Sequence, residues 1–140
     1  MQTKKVNILI VDQNIHARSV HYFVNENLTI KDVHINIEVF NNRSKSLLFL
    51  TETEETDLNI IVFSKYYIID QHDPYSQDAL LNNLEPFRNL GCKTIYFSSS
   101  LKDTEEEKLF IPLFDCYINN LEDNANTHLV SRLKKIIQTN

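Results

Sequence analysis

Two short runs of almost unbroken apolar residues limit what this chain can fold into. Val6-Asn7-Ile8-Leu9-Ile10-Val11 and Leu58-Asn59-Ile60-Ile61-Val62-Phe63 are too short for buried helices and are not alternating, as a half-wet strand would be. A strand reads this way when helices cover both faces of its sheet, which is the situation in a parallel sheet. Each run breaks into polar residues at its carboxyl end, at Asp12-Gln13 and at Ser64. In open α/β sheets ligands and reacting groups collect at that edge, so these residues are the first candidates for chemistry.

The rest of the chain supplies the alternating elements that such a sheet requires. Ala17, Val20, Phe23 and Val24 recur at helical spacing between Asn14 and about Glu26. Val33, Ile35, Ile37 and Val39 alternate with His34, Asn36 and Glu38, which predicts a strand with one wet face near the sheet edge. A short helix from Ser44 to about Thr53 precedes the second apolar run, and Lys65 to Pro74 has no period and is read as a loop. Leu80, Leu81, Leu84, Phe87 and Leu90 predict a third helix stopped by Gly91, with Pro86 kinking it or marking its last turn. Thr94–Phe97 is a fourth strand ending in Ser98-Ser99-Ser100, and Asp103 with Glu106 has the form of a capping box for a fourth helix that Pro112 ends or distorts. Cys116–Ile118 is a short fifth strand, and Leu129, Val130, Leu133, Ile136 and Ile137 stripe a final helix. Five strands alternating with five helices predict one α/β domain over residues 1–140, a doubly wound parallel sheet of order 2-1-3-4-5.

Composition excludes several functions. With one glycine in 140 residues, no Walker loop or dinucleotide fingerprint can form, because both need several positions without a Cβ. Nineteen acidic against 14 basic side chains, with no basic stripe, argue against nucleic-acid binding. No apolar run reaches membrane-spanning length and the start is polar, so a cytoplasmic protein without membrane attachment is expected. Cys92 and Cys116 lack metal-site spacing, and the five histidines are scattered.

The chain resembles the receiver domain of bacterial two-component response regulators. The resemblance rests on the whole architecture, on Ile8-Leu9-Ile10-Val11-Asp12-Gln13 and on Arg18 in the first helix. It implies a flavodoxin-like fold in which an acidic pair and an aspartate at the end of strand three hold Mg²⁺ and accept a phosphoryl group. It also implies a strand-four hydroxyl, a strand-five lysine and a strand-five aromatic switch. Asp12 matches the first acid, but Gln13 replaces the second, Ser64 stands at the acceptor position and Asn120 at the lysine. Ser98 keeps the hydroxyl and Tyr117 the aromatic, while Leu121 replaces the proline that usually follows the lysine.

One carboxylate, one amide and one hydroxyl supply little charge for Mg²⁺, so no metal or other cofactor is expected, with Asp12 the one weak candidate ligand. Ser64 would need a general base that neither Gln13 nor Asn120 provides, so no catalysis is expected. The expected function is a degenerate, stand-alone pseudo-receiver that acts through contact with another signalling or regulatory protein, without phosphorylation. By resemblance its surface is helix four, strand five and helix five, which also offers a homodimer interface. The Tyr66-Tyr67-Ile68-Ile69 segment either folds back on the sheet or forms a second exposed surface. Asp12 either binds metal, caps the first helix or binds loop amides; Tyr117 either packs the edge strand or lines an interaction surface. Direct transcriptional output is not expected. Two alternatives are an active receiver using Ser64, Asp70 or Asp73, and a small-molecule sensor using the cleft at the strand ends.

Overall fold

The computed structural model describes residues 4–98 and 105–140, the side chains of 105–107 excepted. Strands β1 (Lys4–Val11), β2 (Val33–Phe40), β3 (Leu58–Phe63), β4 (Lys93–Ser98) and β5 (Cys116–Asn119) alternate with helices α1 (Asn14–Asn27), α2 (Arg43–Thr51), α3 (Gln77–Asn89), α4 (Glu105–Phe110) and α5 (Ala125–Thr139). The strands form one parallel sheet in the order β2-β1-β3-β4-β5. This is the doubly wound topology that the alternation of apolar runs predicts.

The two unbroken runs are the central neighbours β1 and β3, and each lies between two apolar layers. On one face Ile8, Ile10, Ile60 and Val62 pack against Val20 and Val24 of α1 and Leu129 and Leu133 of α5. On the other, Leu9, Val11, Ile61 and Phe63 meet Leu50 of α2, Leu80, Leu84 and Phe87 of α3, and Phe110 of α4. Phe63 and Phe87 meet edge to face, with ring centroids 5.1 Å apart.

Gly91, Pro86 and Pro112 act as the expected stop signals, and two caps not predicted from the sequence start helices. Asn42 and Ser76 cap α2 and α3, their side chains accepting from Lys45 N at 2.8 Å and Ala79 N at 3.1 Å. Gly91 takes a left-handed φ of 75° just past α3. Pro86 marks the last turn of α3, and Pro112 lies in the 3-10 turn Ile111–Leu113 that follows α4. In α2, Leu50 is buried but Leu48 is exposed. The Asp103 capping box and Ser99-Ser100 lie outside the described residues.

Polar residues interrupt β1 and β3 at matching positions. Asn36, Asn7 and Asn59 are in register across β2, β1 and β3. Asn36 Nδ2 donates to Asn7 Oδ1 at 3.3 Å, and Asn7 Nδ2 donates to Asn59 Oδ1 at 3.0 Å and Asp57 Oδ2 at 3.1 Å. Asn59 in turn donates to Thr53 Oγ1 at 3.1 Å. A slip of either neighbouring strand would strand the buried amides of Asn7 and Asn59, so the ladder specifies register.

Candidate functional site

The register brings the predicted polar residues to the carboxyl edge of the sheet. Val11 pairs with Phe63, and Ser64 N extends the ladder by donating to Val11 O at 3.2 Å, so Asp12 and Ser64 lie side by side just beyond it. Ser98 closes β4 opposite Asn119, and its carbonyl accepts from Asn120 N at 3.0 Å. Asp12, Gln13, Ser64, Ser98 and Asn120 therefore stand at the ends of neighbouring strands, with Asp12 the one carboxylate among them.

Asp12 is buried, and its Oδ1 accepts from Gln13 N at 2.6 Å. The N-cap of α1 is Gln13, which makes no side-chain cap bond, so Asp12 binds a loop amide and does not cap the helix. Gln13 is exposed. The Ser64 carbonyl accepts from Tyr67 N, closing a 3-10 turn over Lys65–Tyr67. The Ser64 Oγ is shielded from solvent and has no hydrogen-bond partner among the described residues. An unpaired buried hydroxyl costs about 1 kcal/mol or more. Ser64→Ala should therefore leave the thermal midpoint unchanged or raise stability by up to about 1 kcal/mol in urea denaturation. A loss above that size would show that Ser64 holds a structural bond.

The segment after Ser64 takes the first of its two readings and folds back on the sheet. Ile68 and Ile69 are buried in the layer with α3, Tyr67 is half-buried against it, and of the four only Tyr66 is exposed, at 71%. Arg43 Nη1 donates to Tyr67 O at 3.1 Å and Asn83 Nδ2 to Ile68 O at 2.7 Å. These donors satisfy the carbonyls of a loop that would otherwise have to stay in water, which lets its isoleucines fold back. Sequence reading missed both anchors, since an arginine and an asparagine on helices carry no local sign of a distant carbonyl. Burial lowers the pKa of Arg43, with the Asp70 carboxylate opposing that shift.

Asp70 and Asp73 are turn residues. Asp70 Oδ1 accepts from His72 N at 2.9 Å and its carbonyl from Asp73 N at 3.1 Å, while Asp73 O accepts from Ser76 N. Among the described residues no three His, Cys, Asp or Glu side chains gather as a metal site. Both cysteines are free thiols; burial and then Asp115 push Cys92 up to about 12, leaving it unreactive near neutrality.

Tyr117 packs in the edge-strand aromatic cluster. Its ring lies 5.6 Å from Tyr96, which stacks on Phe114 at 4.5 Å. It also lines an open pocket of about 330 Å³ with Asn119, Glu122, His128, Ser131 and Arg132, between β5 and α5. His128 Nδ1 and Glu122 Oε2 are 3.3 Å apart there. The β5–α5 pocket was not predicted from the sequence, because its side chains come from two elements without any shared motif.

A five-stranded parallel sheet in this order, with polar groups converging at the strand carboxyl ends, defines the flavodoxin-like fold of receiver domains. Solved response regulators share it. The chain superposes on a response regulator from Thermotoga maritima with a TM-score of 0.66 at 14% identity, covering 96% of this chain and 98% of that one. The receiver domain of Francisella response regulator 1452 gives 0.63 at 17% identity, covering 97% and 98%. The Salmonella typhimurium RcsB response regulator gives 0.64 at 13% identity; 99% of this chain is covered, and it spans 62% of the RcsB chain. No family model matches the chain, and no curated protein does. No helix among the described residues is long and apolar enough to cross a membrane.

Proposed function

We propose that this chain is a pseudo-receiver, a signalling or regulatory module that works through protein contact and without phosphorylation. The observation that carries the reading is the state of the acceptor position. Ser64 places a neutral, solvent-shielded hydroxyl, unpartnered among the described residues, where receivers carry an aspartate. Asp12, the one carboxylate beside it, already accepts a short bond from Gln13 N. Mg²⁺ demands hard anionic oxygens in near-octahedral geometry, and this donor set does not fit it. A serine nucleophile needs a base, and an asparagine at position 120 cannot offset charge developing on a transferred phosphoryl group.

The contact surface that the reading favours is α4, β5 and α5, where Tyr117 joins the aromatic stack to the β5–α5 pocket. Its partner would be another signalling or regulatory protein, and a second copy is an alternative occupant. The acidic net charge of −5 fits a protein partner better than nucleic acid. The competing reading is phosphoryl acceptance, as the name of the phosphorylated cyanobacterial phytochrome response regulator RcpA, of the same fold, states for that protein.

An amide NMR titration separates the two. With Mg²⁺ at millimolar concentration, and then with beryllofluoride, no saturable shift is expected near Asp12, Ser64 or Ser98. Saturable shifts there, spreading to Tyr117, would restore a phosphorylation switch.

A further inference from the structure

The free edge of the sheet at β2 carries a self-complementary sequence. Read outward from Asn36, the strand is Val33-His34-Ile35-Asn36-Ile37-Glu38-Val39, with valine opposite valine, isoleucine opposite isoleucine and histidine opposite glutamate. We propose that β2 pairs with β2 of a second copy, antiparallel about a two-fold axis through Asn36, joining two sheets into one.

The backbone is set for this pairing. The carbonyls of Asp32 and Phe40 turn inward, accepting from Lys4 N and Asp12 N of the β1 side. Strand alternation then turns the N–H and C=O groups of Ile35, Ile37 and Val39 to the outer edge, together with the Val33 carbonyl. The Val33 N–H is taken by Ile30 O. Among the described residues no strand lies beyond β2. With Asn36 opposite Asn36 of the second copy, Ile35 faces Ile37 and Val33 faces Val39 as hydrogen-bonded pairs. The same residues are half-buried on the α1 face, where a second copy would extend the apolar layer.

On the α2 face, His34 meets Glu38 of the second copy on each side of the axis, and the two Asn36 amides meet at its centre. These are the non-hydrogen-bonded positions, where side chains approach most closely. The ladder Asn59-Asn7-Asn36, buried at Asn59 and Asn7 and half-buried at Asn36, would then continue across the interface. Shifting the register by two residues in either direction sets asparagine against histidine or glutamate and leaves the other charged partner unmatched. Single-domain proteins usually protect such an edge with lysine, proline or a bulge, and this eight-residue strand has none of them. The pairing is isologous and closes on itself, so it builds a dimer and no filament. Because β2 and β5 are opposite edges of the sheet, this inference stands apart from the pseudo-receiver reading.

Sedimentation of the full chain should show a dimer at roughly 100 µM. Glu38→Lys sets a cation against His34 twice and should weaken the dimer about tenfold. His34→Glu combined with Glu38→Lys sets a carboxylate against each lysine and should recover it. In a Cys116→Ser background, Asn36→Cys should form an intermolecular disulfide on oxidation, since opposed non-hydrogen-bonded residues have Cα atoms about 4.5 Å apart. Any of four results would overturn the pairing: a monomer throughout, a dimer indifferent to Glu38→Lys, failure of the double variant to recover it, or no cross-link at position 36.

Discussion

A chain carrying Gln13→Asp, Ser64→Asp and Asn120→Lys should gain a response to Mg²⁺ that is not expected of the natural sequence. The register already sets Asp12 and Ser64 side by side beyond the Val11–Phe63 pair and ties Asn120 to the end of β4 through Ser98 O. What the site lacks is charge. Three carboxylates on those strand ends would repel one another and make the metal-free variant less stable than the natural chain. They would also supply the hard anionic oxygens that Mg²⁺ requires. For a Kd of about 1 mM, 10 mM Mg²⁺ adds about 1.4 kcal/mol of stability by mass action, or about 5 °C in Tm for a domain of this size.

Differential scanning calorimetry with and without Mg²⁺ measures this, and the natural chain should show no shift. Beryllofluoride should then stabilise the triple variant further, with the introduced lysine offsetting its charge. If the variant folds and ignores Mg²⁺, the strand ends do not share receiver geometry and the pseudo-receiver reading loses its basis. A comparable shift in the natural chain would show that Asp12 alone suffices to recruit the ion, which contradicts the same reading from the other side.

The largest stability effect is expected at Asn7. Its side chain is 1% exposed and holds together Asn36, Asn59 and Asp57. The Asp57 side chain is itself 4% exposed, with Lys5 Nζ at 3.9 Å and Glu54 N at 3.4 Å as its other partners. Asn7→Ala removes one donor from a buried carboxylate and leaves the amides on both neighbouring strands short of a partner. The expected loss is about 3 kcal/mol, since the desolvation of each orphaned group is no longer offset. Replacing Asn7, Asn36 and Asn59 together by valine removes the mutual dependence and restores β-branched packing. That triple variant should lose less than the single one, although it has more substitutions. Urea denaturation of both decides the matter: a single-variant loss under about 1 kcal/mol would mean that the ladder is replaceable packing.

Much of the fold was legible because it depends on local pattern. Unbroken apolar runs at Val6–Val11 and Leu58–Phe63 leave few alternatives to central parallel strands, and the alternation in Val33–Val39 belongs at an edge. Gly91 acts within a turn of chain, so its effect can be read without knowing the rest. The same locality makes the charge carried at the strand ends legible in the sequence. The chemistry at strand ends depends on residue type, and Gln13, Ser64 and Asn120 carry no charge wherever the fold places them.

Other features depended on residues distant in sequence. Whether Tyr66–Ile69 formed a surface was settled by Arg43 and Asn83, on two different helices, reaching the carbonyls of Tyr67 and Ile68. Asn7, Asn36 and Asn59 look in the sequence like isolated polar intrusions; only the parallel register aligns them into one ladder. Likewise the symmetry about Asn36 is written in the chain, yet it acquires meaning only because the sheet order leaves β2 with a free edge. Period and residue type act over a few residues and so determine elements and chemistry, whereas hydrogen-bond satisfaction and edge exposure belong to the assembled sheet.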